Sequence, residues 1–338
     1  MEMILKNGRY GVEVDGIFVP AISGGSDFTV SRPGQDNGAG DALANFYKKF
    51  AGEVMTTFSE NNIMLAQGLT MVRNISSGKS AAFPATGVAV ASYHVPGTEL
   101  VGQIIKASER VISIDSLLAA DVFVANIDEA MAEYEVRSIY SNECGVALAD
   151  QADLRLLRVA VLAARASSTV TGGNGGTVIT DADGDVNGAS LAASIYAAAQ
   201  AMDEKKIPAS DRNVFVKPAQ YYLMAQNTDL INKDWTGGNG DIAQGTIGSI
   251  GGLRVRKTNH VPTANAAVVT GENNTYNGTF NTTFAVALQK RAIGTVKLLD
   301  LAVESEYSVR HQGTLLVAKY AMGHGILRPE CAVEFKTA

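Results

Sequence analysis

The chain has 338 residues, 46% of them hydrophobic, and its 28 Lys and Arg against 34 Asp and Glu leave a net charge of −6. That length supports a large core in two or more lobes, and the acidic balance argues against a dedicated DNA- or RNA-binding protein. Cys144 and Cys331 are too few and too far apart for a disulfide framework or a zinc site, and read as buried thiols in a reducing compartment. No apolar run approaches the ~20 residues that span a bilayer. Glu2, Glu13 and Asp15 interrupt any signal-peptide pattern, so the expected compartment is a cytosol, with no membrane partner.

Taken in order, residues 1–40 are rich in turn signals such as Gly24-Gly25-Ser26 and Asp36-Asn37-Gly38, and predict an extended arm. From Asp41, a good N-cap, Leu43, Phe46, Tyr47, Phe50, Val54, Met55 and Phe58 follow a helical period. Phe46, Phe50 and Phe58 are candidates for docking on a partner, with packing on their own domain as the alternative. Residues 71–115 predict a long hairpin-like excursion whose return strand carries Val111, Ile112 and Ile114. A two-stranded ribbon is marginal alone in water, so it is expected to lie against another subunit. Its charged residues Arg73, Lys79, Glu109 and Arg110 are the intersubunit contact candidates.

Residues 126–167 predict one long helix, capped by Asn126 with Glu129 three residues on. Its acidic residues lie near the start and Arg155, Arg158 and Arg165 near the end, in the order that suits the helix dipole. The apolar face runs through Leu148, Ala152, Leu156, Val159 and Ala163. Gly145 is the lone glycine and the candidate hinge, because glycine weakens a helix interior by ~1 kcal/mol relative to alanine. Close packing is the equal alternative. A polar loop over 171–187 then opens an α+β lobe, with a helix over Leu191–Met202, a strand over Asn213–Val216, a helix from Pro218 and a strand at Leu253-Arg254-Val255. Strands are expected from Leu299 onward, over 314–322 and over 331–335, rejoining material beside the long helix.

Chemistry is poorly supported. The glycine clusters at 172–176 and 237–252 lack the Walker lysine pattern and any strand-to-helix dinucleotide fingerprint. Asp181, Asp183, Asp185 and Asn187 imitate a calcium loop, yet Ala192 stands where the bidentate glutamate belongs. His94, His260, His311 and His324 have no metal-ligand spacing, and no Gly-x-Ser-x-Gly elbow occurs. No catalytic residue, cofactor or metal site is predicted.

Two long strings carry a resemblance. Residues 71–83, MVRNISSGKSAAF, and 319–330, KYAMGHGILRPE, closely resemble the major capsid protein of the T-seven-like short-tailed phages (podoviruses). Further matches lie at Gly40-Asp41, 50–54, 136–138, 208–212 and 292–298, so the likeness covers about residues 40–338. It implies an α+β chain with the Hong-Kong-97-type capsid fold: an N-arm over 1–70, an E-loop over 71–115, a P-domain over 116–170 with its spine helix at 126–167, an A-domain over 171–290, and P-domain return strands over 291–338. The implied function is structural: self-assembly as hexamers and pentamers into an icosahedral virion head around double-stranded DNA, formed in the host bacterial cytoplasm. Implied partners are further copies of the chain, a scaffolding protein, a portal protein at one vertex, a cement protein and, non-specifically, the DNA. The competing readings are an encapsulin-like compartment that encloses something other than DNA, and a soluble enzyme.

Overall fold

The structure, a computed structural model, describes residues 3–6, 9–14, 17–20, 53–54, 56–57, 62–97, 99, 102–125, 136–227, 240–241 and 246–338. Three antiparallel strands, β1 (Met3–Lys6), β2 (Arg9–Val14) and β3 (Ile17–Pro20), form a sheet where the sequence predicted only an arm. The signal was present: the residues between the strands are Asn7-Gly8 and Asp15-Gly16, the dipeptides that favour tight hairpins. Residues 53, 54, 56 and 57 are helical, and Val54 is fully buried. Phe46, Phe50 and Phe58 lie outside the described residues, as do Asn126 and Glu129.

The described part of the long helix is α1 (Val136–Arg165), 30 residues that run unbroken through a buried Gly145. At 1.5 Å per residue it spans about 45 Å, and it serves two sheets in succession. Its first half packs Cys144, Leu148, Ala149 and Ala152 on a four-stranded sheet. That sheet is ordered β4 (Met71–Asn74), β15 (Ile293–Ser308), β16 (Gly313–Ile326) and β7 (Leu118–Ala125). Its second half packs Leu156, Val159, Ala160, Ala163 and Ala164 into the main core, where small alanines let the sheet come close.

That core covers a six-stranded sheet ordered β12 (Ser249–Ile250), β13 (Leu253–Lys257), β9 (Arg212–Val216), β14 (Thr283–Gln289), β17 (Ala332–Lys336) and β8 (Thr177–Thr180). Every residue of β9 and β14 is buried, as expected for central strands covered on both faces. Helices α2 (Gly188–Glu204) and α3 (Pro218–Ala225) accompany it. Asn187 caps α2 through the amide of Ala189, and Pro218 occupies the first turn of α3, where its missing N–H costs nothing. A small ladder joins β10 (Gly240–Asp241) to β11 (Thr246–Ile247).

Three expectations need correction. The last strand, β17, packs beside the long helix as expected but does not pair with β16: it pairs with β14 and β8 inside the middle lobe's sheet, so residues 291–338 are shared between two sheets. Residues 71–74 are not part of the hairpin, because β4 runs parallel to β15, with Gly294 opposite Met71. The strand expected from Leu299 begins at Ile293, and its first four residues are buried.

Candidate assembly surface

The hairpin excursion is built by β5 (Ser80–Thr86) and β6 (Ala107–Ser113), paired antiparallel from Ser80–Ser113 to Thr86–Ala107. Its base belongs to its own chain. Ala81, Ile112 and Ile114 form a small core with Val296, Ala321 and Leu327. Gly323 makes this approach possible, since a Cβ there would lie 1.9 Å from the carbonyl oxygen of Ser113.

A polar clamp fixes the return of the excursion. The Asp115 carboxylate accepts from the amides of Asn273 (2.8 Å) and Asn274 (3.2 Å), from the Asn274 side chain (3.0 Å) and from the Tyr276 hydroxyl. Tyr276 in turn accepts from the backbone amide of His324 at 3.0 Å. Burial raises Asp115, its hydrogen bonds oppose that rise, and burial beside this carboxylate raises Tyr276 as well. Burial also drives His324 down to about 3, so its ring stays neutral and shares a hydrogen bond with Thr295. Sequence reasoning missed this clamp because its members are scattered over 200 residues with no local spacing signal.

Beyond Thr86 and Ala107 the described apolar side chains of the excursion stand open to solvent. Val88 and Ile104 are each 94% exposed, and Val90, Tyr93, Val95 and Ile105 are exposed as well. The amide side chain of Gln103 closes the ribbon by accepting from Val90 N (3.0 Å) and donating to Val90 O. Lone exposed apolar residues are ordinary, but a run of β-branched and aromatic side chains on one projecting ribbon marks an interaction surface.

The four predicted contact residues do not form one cluster. Arg73 donates to Ala82 O at 2.6 Å and lies over the Phe83 ring, and Arg110 reaches Thr169 Oγ1 at 3.4 Å, so both engage their own chain. Lys79 and Glu109 are exposed. Arg110 also lines an open groove of about 410 Å³ that includes Arg291 and Arg328, which sequence reasoning did not single out.

Two buried carboxylates lock the frame that carries this surface. Asp153, on α1, accepts from Ile63 N (2.7 Å) and Met64 N (3.1 Å), tying the preceding segment to the helix. Glu334, on β17, is fully buried and meets Arg165 at the end of α1, with Nε donating to Oε2 at 2.6 Å and Thr283 adding a second donor. Cys144 and Cys331 are buried free thiols, pushed up to about 11 by burial, as read from the sequence. Asp181 accepts from Ser190 and Ser194 and organises a turn. Among the described residues no group of three His, Cys, Asp or Glu side chains is placed to hold a metal, and no helix is long and apolar enough to cross a membrane.

A long helix laid across two sheets, with a two-stranded hairpin beside them, is a fold that this chain shares with solved phage capsids. The capsid protein of Cyanophage P-SCSP1u superposes with a TM-score of 0.74 at 42% identity, covering 80% of this chain and 86% of that one. The mature capsid of bacteriophage PhiM1 (TM-score 0.67, 18% identity) and the virus-like particle from Pyrococcus furiosus (0.54, 12%) share the fold. The family described as Gp10A-like major capsid protein matches residues 82–336, and this chain belongs to it. The major capsid proteins of Enterobacteria phage T3 and Escherichia phage T7 are each 34% identical over 92% of this chain, covering 96% and 97% of their own lengths. The chain is thus a phage coat protein, a structural component of the virion, and the encapsulin-like reading is not favoured.

Proposed function

We propose that the chain tiles as hexamers and pentamers into an icosahedral head that encloses double-stranded DNA, formed in the host bacterial cytoplasm with a scaffolding protein and a portal protein at one vertex. In this reading residues 1–70 are the N-arm, the excursion within 71–115 is the E-loop, α1 and the four-stranded sheet form the P-domain, and the six-stranded sheet with α2 and α3 forms the A-domain. The subunit is a building block with no chemistry of its own. The observation that carries the reading is the exposed ribbon between Thr86 and Ala107: a chain that lived as a monomer would gain nothing from projecting Val88, Tyr93 and Ile104 into water. Laid on a neighbour, each such side chain contributes about 1.5–3 kcal/mol of apolar burial, repeated at every copy.

Replacing residues 88–105 by a short Gly-Ser turn tests this. The last backbone bond of the hairpin, Gly87 N to Lys106 O at 2.8 Å, lies inside the retained part, so the subunit should keep its fold. The expected result is a folded subunit that makes no closed shells. Normal yields of normal shells would overturn the proposal.

A further inference from the structure

The groove beside β4 has an unusual composition. It is lined by the apolar Met71, Phe83 and Leu327 together with three arginines, Arg110, Arg291 and Arg328. Among the described residues only Arg328 has a carboxylate nearby, Glu330 at 3.8 Å, and none pairs with Arg110 or Arg291. Three cations beside apolar side chains on an acidic chain select a ligand that carries carboxylates next to an apolar side chain, because guanidinium binds carboxylate through paired N–H donors.

The shell-forming reading above supplies the kind of partner. A ring of identical subunits related by rotation repeats a contact between two different patches of the same chain. A groove that serves as one of those patches has its counterpart elsewhere on this molecule. That counterpart has to be convex, acidic and tipped by an exposed apolar residue. The Asp181–Asn187 turn has those properties: Val186 is 66% exposed, Asp183 is exposed beside it, and no described cation pairs with Asp183 or Asp185. The turn is also preorganised. Asp183 N donates to Asp181 Oδ1 at 3.1 Å, and Asp183 O accepts from Val186 N (3.1 Å) and Asn187 N (2.8 Å). Among the other exposed acids, Asp203, Asp300 and Glu304 already pair with Arg212, Lys297 and Lys319, and the turn that follows Glu306 carries a cation, Arg310, beside its exposed Val309.

We propose that the arginine-lined groove beside β4 receives the Asp183–Val186 turn of an adjacent copy of this chain, with Val186 against its apolar side chains and Asp183 and Asp185 against Arg291 and its neighbours. The contact is a second, charge-coded joint between subunits, separate from the apolar ribbon of the excursion. It sets which copy fits which, because opposed charges reject a wrong register as strongly as they accept the right one.

The experiment is a charge swap in the full-length chain, under conditions in which the wild type forms shells. Arg291 and Asp183 are both exposed, so Arg291→Glu and Asp183→Lys should leave the subunit's unfolding transition unchanged. Each single variant should lower the yield of closed shells by about tenfold or more, and the double variant, with the pair reversed, should recover to within about twofold of wild type. A second readout is direct: shells of Val186→Cys, Met71→Cys chains should give disulfide-linked multimers on oxidation, while Val186→Cys alone or Met71→Cys alone, which like the wild type keep the buried Cys144 and Cys331, should not. Single variants that assemble normally, a double variant no better than the worse single, or the absence of cross-links would each overturn the contact. A wild-type chain that forms no shells under any condition would instead overturn the shell-forming reading, and this contact with it.

Discussion

Asp153 is the residue whose chemistry is most out of place. It is 1% exposed on α1, and burial pushes its carboxyl up to about 6, although the amides of Ile63 and Met64 and the nearby His260 pull the other way. Its ordinary value is 3.8, so the folded chain holds this proton more tightly than the unfolded chain does. Stability from this group therefore rises as pH falls through roughly 6 toward 4, and is lowest above pH 6, where a charge must stay buried. Thermal unfolding followed across that window should show the wild type gaining on Asp153→Asn as the solution is acidified. Two parallel curves would show that the group does not titrate there. Glu334 gives a complementary case. Arg165→Ala leaves a fully buried carboxylate without its cation, which should cost about 3–5 kcal/mol in denaturant unfolding. Arg328→Ala, which loses only a half-exposed contact at 3.8 Å, should cost less than about 1 kcal/mol.

Among the elements, α1 carries the most consequence because it touches both sheets. Gly145 sits buried in its first half, next to Cys144 and one turn before Leu148, where the helix faces the four-stranded sheet. We propose that shells of this chain form first as a precursor that then expands, and that Gly145 lets the helix flex as they do. Alanine there would favour a straight helix by about 1 kcal/mol per subunit, so Gly145→Ala precursors should expand at a lower temperature, read as particle radius by light scattering. Unchanged expansion with fewer shells would assign the glycine to close packing instead.

The elements also show what a sequence can carry. The capped, Ala-rich α2, the proline-started α3 and the strand β9 were legible because their signals are local. The Asn7-Gly8 and Asp15-Gly16 dipeptides of the first sheet are signals of the same local kind. The destination of β17 was not legible: five residues can look like a strand, but nothing in them names β14 and β8 as partners. The assembly surface divides the same way. The excursion showed through a hairpin-like pattern whose return strand carries Val111, Ile112 and Ile114, whereas the groove joins Arg110, Arg291 and Arg328, which only the folded chain brings together.

At the scale of the whole molecule, the described residues form one frame and carry two surfaces that they do not themselves cover. The frame is α1 with its two sheets, locked by Asp153 and Glu334. The surfaces are the apolar ribbon of the excursion and the arginine groove at its base. A net charge of −6 agrees with a wall that does not adhere to the nucleic acid it encloses. The most direct measurement is a reconstruction of assembled particles at a resolution that traces side chains. The expected result is a closed shell in which residues 88–105 of every copy lie buried against an adjacent chain. A shell in which that ribbon folds back on its own subunit or projects into solvent would contradict it.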